Sequence, residues 1–239
     1  MTTGSPASIV PLEIATFTFA ADEPEAGREG VVMAHAIRLP DGVVLFDTGF
    51  GFGSRLVDER YHPRTRRLPD LLEAAGIAID EIRAVVNCHL HIDHAGQNSV
   101  FARVPIYVQR REWDVAHTTE HTILEWIDFD AADYRLLDGD HELLPGVRVV
   151  ATPGHTPGHQ SLVVQTSLGA VVLVGQAVYS AGEWLGDPSA REGRSRAWDR
   201  DAYDASVARL RAVSPVRVYF AHDRAEWSWA LRGMIHGPC

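Results

Sequence analysis

The sequence predicts an α/β protein with mixed β-sheets, and three observations carry that prediction. Short apolar runs closed by turn residues recur along the chain, and segments with helical spacing fall between them. Strands, a helix, strands and a helix appear in that order, and the order then repeats. No GxGxxG follows a first strand, so a Rossmann unit is not expected.

Each element has a local cause. Ser8 to Ala20, Val31 to Leu39 and Gly42 to Phe46 read as β-segments, with a turn at Pro40-Asp41-Gly42. The third ends in Asp47-Thr48-Gly49, and the polar stretch Gly51 to Arg67 reads as an irregular surface loop. Leu68 to Ala75 sets Leu68, Leu71, Leu72 and Ala75 at helical spacing and stops at Gly76. Ile82 to Cys88 is an apolar run fit for a buried strand. Val104 to Gln109 predicts a small strand and Arg111 onward a helix carrying Trp113 and Val115, whereas Glu120 to Asp133 shows no clear period. Further strands are expected at Tyr134 to Leu137, Val147 to Ala151, Ser161 to Gln165, Ala170 to Gly175 and Val216 to Ala221. Helices are expected at Asp201 to Val213 and Arg224 to Met234, with a loop over 187–200. No linker separates independent parts, so residues 1–239 read as a single domain.

Bulk properties exclude several classes of function. A hydrophobic fraction of 46% supports a core without disulfides, and the two cysteines, Cys88 and Cys239, build no disulfide framework. A formal net charge of -10 argues against nucleic acid as a partner. No apolar run approaches the length of a membrane span, and the first residues lack the basic start and apolar stretch of an export signal. A cytoplasmic protein acting on a small molecule is expected, as monomer or homodimer.

The chemistry is concentrated in His89-Leu90-His91-Ile92-Asp93-His94. This HxHxDH follows an apolar strand, so its side chains project from the rim of a sheet. Alternation along an extended chain puts His89 and His91 on one side, about 7 Å apart. Asp93 and His94, where the chain turns into Ala95-Gly96, face a second position. Neutral imidazoles with a carboxylate are the donors zinc takes at sites that keep a coordination position open. A solvated histidine-rich loop is the ordinary alternative, and three histidines with an aspartate in six residues outweigh it. His155, in Thr152-Pro153-Gly154-His155-Thr156-Pro157-Gly158-His159, and His222 each follow a predicted strand, as expected if one sheet edge carries the site.

HLHIDHAG, TPGHTPGH and the late AHD resemble the metallo-β-lactamase superfamily of hydrolases, nearest to its N-acyl-homoserine lactonase-like group. The resemblance spans Asp47 to His222. It implies an αββα sandwich of two mixed β-sheets flanked by helices, with metals at one rim. It implies that His89, His91 and His155 hold one metal and Asp93, His94 and His222 a second. The cofactor implied is zinc, one or two ions per chain. The lactonase-like group also carries a tyrosine three residues after a metal-bridging aspartate, and Tyr179 stands at that offset from Gln176.

Gln176 is the departure, since dinuclear members of the family have aspartate there. A neutral amide oxygen can ligate, but it does not supply the charge that holds two dications close. Two metals with a weaker second site are expected; hydrogen bonding by Gln176 beside the metals is the ordinary alternative. The implied reaction is attack of a metal-bound hydroxide on a lactone or ester carbonyl. Asp93 would orient the water and move a proton, and the second metal or Tyr179 would stabilise the oxyanion. Asp47 is expected to fix a ligand imidazole or the adjacent backbone, and His159 to stabilise its loop. Phe50 to Phe52, Trp184 and Trp198 are candidate pocket aromatics, although aromatics beside a loop more often pack than recognise a ligand. Competing functions are hydrolysis of a β-lactam or another amide or thioester, and a metal-binding scaffold inactive because of Gln176.

Overall fold

The computed structural model describes residues 7–228. Two compact units divide the chain, Met1–Asp138 and Gly139–Cys239, each built on its own mixed sheet. In the first unit, strands β1 (Ser8–Thr18), β2 (Glu29–Leu39) and β3 (Gly42–Phe46) form an antiparallel meander. Helix α1 (Arg55–Tyr61), the short strand β4 (Arg64–Thr65) and helix α2 (Leu68–Ala74) follow. Strand β5 (Ile82–Val86), strand β6 (Pro105–Gln109), helix α3 (Arg110–Ala116), the single turn α4 (Leu124–Ile127) and strand β7 (Asp133–Leu137) complete it. The sheet runs β4-β1-β2-β3-β5-β6-β7, with β3, β5, β6 and β7 parallel.

The second unit opens with β8 (His141–Leu144), β9 (Val147–Ala151), β10 (Gln160–Thr166) and β11 (Gly169–Leu173). Helices α5 (Ala181–Leu185), α6 (Glu192–Ser195) and α7 (Arg200–Ala212) precede β12 (Arg217–Tyr219) and β13 (Trp227–Ser228). Its sheet runs β13-β12-β11-β10-β9-β8, antiparallel except where β11 meets β12.

Most elements stand where residue pattern placed them, because the apolar runs become buried strands. Val43 to Phe46, Val85, Val86, Ile106 and Val108 are buried in the first unit, and Val149, Val172, Leu173 and Val218 in the second. Each such side chain contributes about 1.5–3 kcal/mol of burial. The differences lie in polar segments. The expected loop from Gly51 to Arg67 contains α1, capped by the Ser54 hydroxyl accepting the Val57 N–H, together with β4. Ser180 and Asp199 cap α5 and α7 in the same way. Strand β8 was invisible because its residues are largely exposed, and α5 and α6 are too short to show a period. The helix expected at Arg224 to Met234 is replaced at Trp227–Ser228 by β13, which pairs with Arg217 and Val218. Residues 224–226 are also not helical, and residues 229–234 of that expectation lie outside the described residues.

Candidate metal centre

Parallel pairing aligns strand ends in the first unit. Phe46 of β3 sits opposite Val86 of β5, and the Asp47 N–H donates to the Val86 carbonyl at 2.9 Å, so the two C-terminal ends lie side by side. Asp47 uses that position twice. Its Oδ1 accepts the Cys88 N–H at 2.7 Å and its Oδ2 lies 3.0 Å from His94 Nδ1, all within buried surroundings. Asp47 thus contacts both an imidazole, that of His94, and the adjacent backbone at Cys88.

The HxHxDH segment is irregular rather than extended, and closes in a turn in which the His94 and Ala95 N–H groups donate to the His91 carbonyl. The turn brings the imidazoles closer than a strand would. The His89 ring centroid lies 4.4 Å from that of His91 and 4.1 Å from that of His94. His94 donates from Nδ1 to Asp47, so Nε2 is the nitrogen presented to the site; Asp93 Oδ2 lies 3.5 Å from it. The Cys88 thiol sits 3.0 Å from His89 Nδ1 and 3.3 Å from His94 Nδ1.

A buried amide network fixes the exit of the segment. Asn87 donates to the His94 carbonyl at 3.0 Å, Asn98 donates to Asn87 at 2.8 Å, and Thr48 donates to Asn98 at 2.8 Å. Gln97 donates to the Phe50 and Arg66 carbonyls and accepts the Leu68 N–H, tying the segment to the stretch that follows β3. Gly96 admits no side chain: a Cβ there would run into the Gly51 backbone nitrogen.

In the second unit, four strand ends share one rim. Ala151 pairs with Gln160, and Leu162, Leu173 and Tyr219 are aligned across β10, β11 and β12. That rim carries His155, His159, Gln176, Tyr179 and His222 in the turns beyond the strands. The His155 loop is held against the entrance of α7, where Trp198 N–H donates to the His155 carbonyl at 3.3 Å and Asp199 N–H to the Gly154 carbonyl at 3.0 Å. Gly154 has φ +144°, and a Cβ there would strike the Tyr203 backbone.

His159 takes the stabilising role expected of it. Its Nε2 accepts the Gln176 N–H at 3.0 Å, so Nδ1 carries the proton and donates to Thr152 Oγ1 at 2.9 Å. The Thr152 hydroxyl donates to Ser161 Oγ at 2.9 Å, and Ser161 donates to the Val174 carbonyl at 3.0 Å. The backbone of Gln176 is thereby fixed while its side chain stays buried. Tyr179 stacks on His222 with centroids 4.5 Å apart and planes 17° from parallel, and the Arg196 guanidinium lies 5.7 Å from the Tyr179 centroid. Of the proposed pocket aromatics, Trp184 packs in the core of the second unit against Trp227, and Phe50 packs against Phe17 and Tyr61. Phe52 and Trp198 are exposed.

The donor chemistry fits a cation of zinc type: buried imidazoles, one oriented through its far nitrogen by a carboxylate, beside a half-buried aspartate. Sequence reasoning missed two further residues at this place. Glu112 of α3 is buried and accepts the Leu90 N–H, and the His121 ring meets His91 at 4.6 Å. Glu112 looks like an ordinary solvated helix charge; its spacing of four from the inward Ala116 was the signal.

Comparison with known proteins agrees with this chemistry. The metallo-β-lactamase superfamily model matches residues 27–227. An N-acyl homoserine lactonase of Bacillus thuringiensis subsp. kurstaki is 32% identical over 209 residues, covering 80% of this chain and 81% of the relative. One from Agrobacterium fabrum is 27% identical over 234 residues, covering 84% and 82%. Among solved structures, an N-acyl homoserine lactone hydrolase with N-hexanoyl-L-homoserine bound at its catalytic metal center matches with a TM-score of 0.74. It is 26% identical and covers 93% of this chain and 95% of its own. A dizinc quorum-quenching lactonase shares the fold, with a TM-score of 0.70, 17% identity and coverage of 93% and 91%. The expected fold, two mixed β-sheets flanked by helices, is that of these neighbours. The chain belongs to the metallo-β-lactamase superfamily, as a lactonase-like hydrolase.

Proposed function

We propose that this chain, acting as one functional domain over residues 1–239, opens the ring of N-acyl homoserine lactones with zinc as its metal. In this reading His89, His91 and His155 hold one ion, and Asp93, His94 and His222 hold a second, more weakly bound ion with Gln176 beside it. The observation that carries the reading is Asp47, which grips the Cys88 N–H and His94 Nδ1 together and so aims a packed trio of imidazoles. The reading also keeps the enzyme in the cytoplasm, acting on small molecules, as monomer or homodimer. No helix among the described residues is long and apolar enough to cross a membrane.

When bound, such a cation supplies Lewis acidity, bringing the ionisation of water down toward neutral pH and polarising a carbonyl. The chain's residues do the rest. Asp93 orients the attacking water, takes its proton on a carboxylate oxygen and returns it to the departing alkoxide, so that lactone and water become a hydroxy acid. Tyr179, with its ring fixed on His222, donates from its hydroxyl to the oxygen that gains charge. Asp47 holds His94 at Nδ1 and so keeps its Nε2 outward.

The test is turnover by the purified zinc-loaded protein on homoserine lactones, simple aryl esters and a chromogenic β-lactam, with acid release followed directly. Lactone opening that is lost on chelation and restored by zinc is expected. Turnover of the β-lactam alone would replace the substrate class, and bound zinc without turnover on any substrate would make the chain a metal-binding scaffold.

A further inference from the structure

Helix α3 (Arg110–Ala116) places a carboxylate where a core side chain would be expected. Glu112 is fully buried, on the face that also turns Ala116 inward. Its Oε1 accepts the Leu90 N–H at 3.0 Å, the peptide hydrogen that lies between His89 and His91. The Leu90 side chain is itself buried among Val108, Ala116 and Ile127. The segment is therefore pinned at Leu90 twice, once by packing and once by an ionisable acceptor. Burying a carboxylate costs several kcal/mol, and hydrogen bonds to ionised acceptors are roughly twice as strong as neutral ones.

His121 lies beside the same carboxylate. The same Glu112 Oε1 lies 3.7 Å from His121 Nε2, and the His121 ring meets His91 edge-on, with centroids 4.6 Å apart at 70°. His121 is oriented from its other side. Thr119 donates its hydroxyl proton to the Val115 carbonyl at 2.9 Å, so its oxygen accepts from His121 Nδ1, also at 2.9 Å. One carboxylate oxygen thus faces both the backbone flanking His91 and the imidazole that abuts its ring.

We infer that Glu112 is a positioning residue: through the Leu90 N–H, between the two histidines, it sets the pose in which His89 and His91 meet a metal. The inference rests on the assignment of those two histidines as ligands under the proposed function. Glu112 acts without touching substrate or metal, as partners of ligating side chains do elsewhere, where their loss lowers metal affinity about 10–100-fold.

The experiment compares the wild-type protein with Glu112→Met, which fills the volume without an acceptor, and Glu112→Gln, whose amide oxygen still accepts the Leu90 N–H. Three readouts are taken: zinc Kd by chelator competition, the ligand-field spectrum of the cobalt-loaded protein, and amide hydrogen exchange at Leu90 in metal-free protein. The expected result is about a 10–100-fold weaker Kd, an altered cobalt spectrum and faster Leu90 exchange for Glu112→Met, with all three largely restored in Glu112→Gln. Unchanged affinity, spectrum and exchange in the Met variant overturn the inference. Should that variant not fold, Glu112→Asp withdraws the acceptor by one methylene and makes the same demands: weaker zinc with faster Leu90 exchange supports the inference, and no change overturns it. A wild-type protein that binds no zinc would end the proposed function, and would overturn the metal-positioning role even if Leu90 exchange still responded.

Discussion

In the first unit, four candidate donors arise within six residues, His89 to His94, directly after β5; in the second, His155, Gln176, Tyr179 and His222 come from three turns spread over sixty-eight positions of sequence. The supports differ in kind as well. The contiguous segment is held by a carboxylate, Asp47, that bonds both a peptide N–H and an imidazole. The dispersed set is held through peptide groups: His159 accepts the Gln176 N–H and hands hydrogen bonds through Thr152 and Ser161 to the Val174 carbonyl, while the Glu183 carboxylate accepts the Tyr179 N–H and Asp223 the Ala181 N–H. A short motif has little conformational slack but crowds like-natured rings, so it needs fixed charge to choose which nitrogen faces outward. A dispersed set is already ordered by strand register and needs only its turns closed.

That contrast can be broken experimentally. The largest effect is expected from His91→Ala in the contiguous segment. Lactone turnover should fall by about three orders of magnitude or more, given the contribution of an activated water, and zinc per chain by metal analysis should fall with it. Retained zinc and turnover would remove the segment from the site. Asp47→Ala comes next: loss of the partner of His94 should weaken zinc about 10–100-fold, measured by chelator competition. The matching change in the second unit, His159→Ala, should alter zinc affinity less, because its partners are backbone and hydroxyl groups rather than a candidate donor ring. Equal effects would erase the distinction drawn between the two supports.

Gln176→Asp restores a charge to the dispersed set. It should bind the more weakly held ion about tenfold more tightly, about 1.4 kcal/mol, seen as a second ion retained through dialysis. An unchanged stoichiometry would show that position 176 does not meet metal.

The smallest effect concerns stability in the first unit. His35 on β2 is buried, and desolvation depresses its pKa to about 3 from 6.5. The folded protein therefore keeps His35 neutral while the unfolded chain takes up a proton below pH 6.5. Stability from this group is intact above that pH and is lost progressively as pH falls toward about 3. One unit below the unfolded value the loss is about 1.4 kcal/mol. Denaturant unfolding of wild type and His35→Gln at successive pH values should show a shallower acid slope in the variant; parallel curves would refute the assignment.

Residues close in sequence were legible from the sequence, and residues hidden by burial were not. HxHxDH after an apolar strand announced itself, as did Asp47 at the end of β3 and the glycine and proline turn around His155. His222 stood out less, as a histidine just past a predicted strand, and the resemblance added Gln176 and Tyr179, which no local pattern singles out. Glu112 and His121 escaped because a glutamate on a short helix and a histidine in an unpatterned stretch look solvated until burial is known. Trp184 takes the packing role, against Trp227, a contact that an aromatic beside a polar loop does not reveal by itself. The expected helix at Arg224 failed at Trp227, where pairing with Val218 outweighed local propensity.

By itself the sequence determined the family, the mixed α/β architecture and the chemical type of the donors, because side-chain chemistry and short-range periodicity are properties of neighbours along the chain. Which nitrogen of His94 faces outward, which carboxylates brace the histidines, and which aromatics are merely core were decided by tertiary structure. Those answers depend on desolvation and on hydrogen bonds between strands and helices distant in sequence, and neither exists until the sheets have formed.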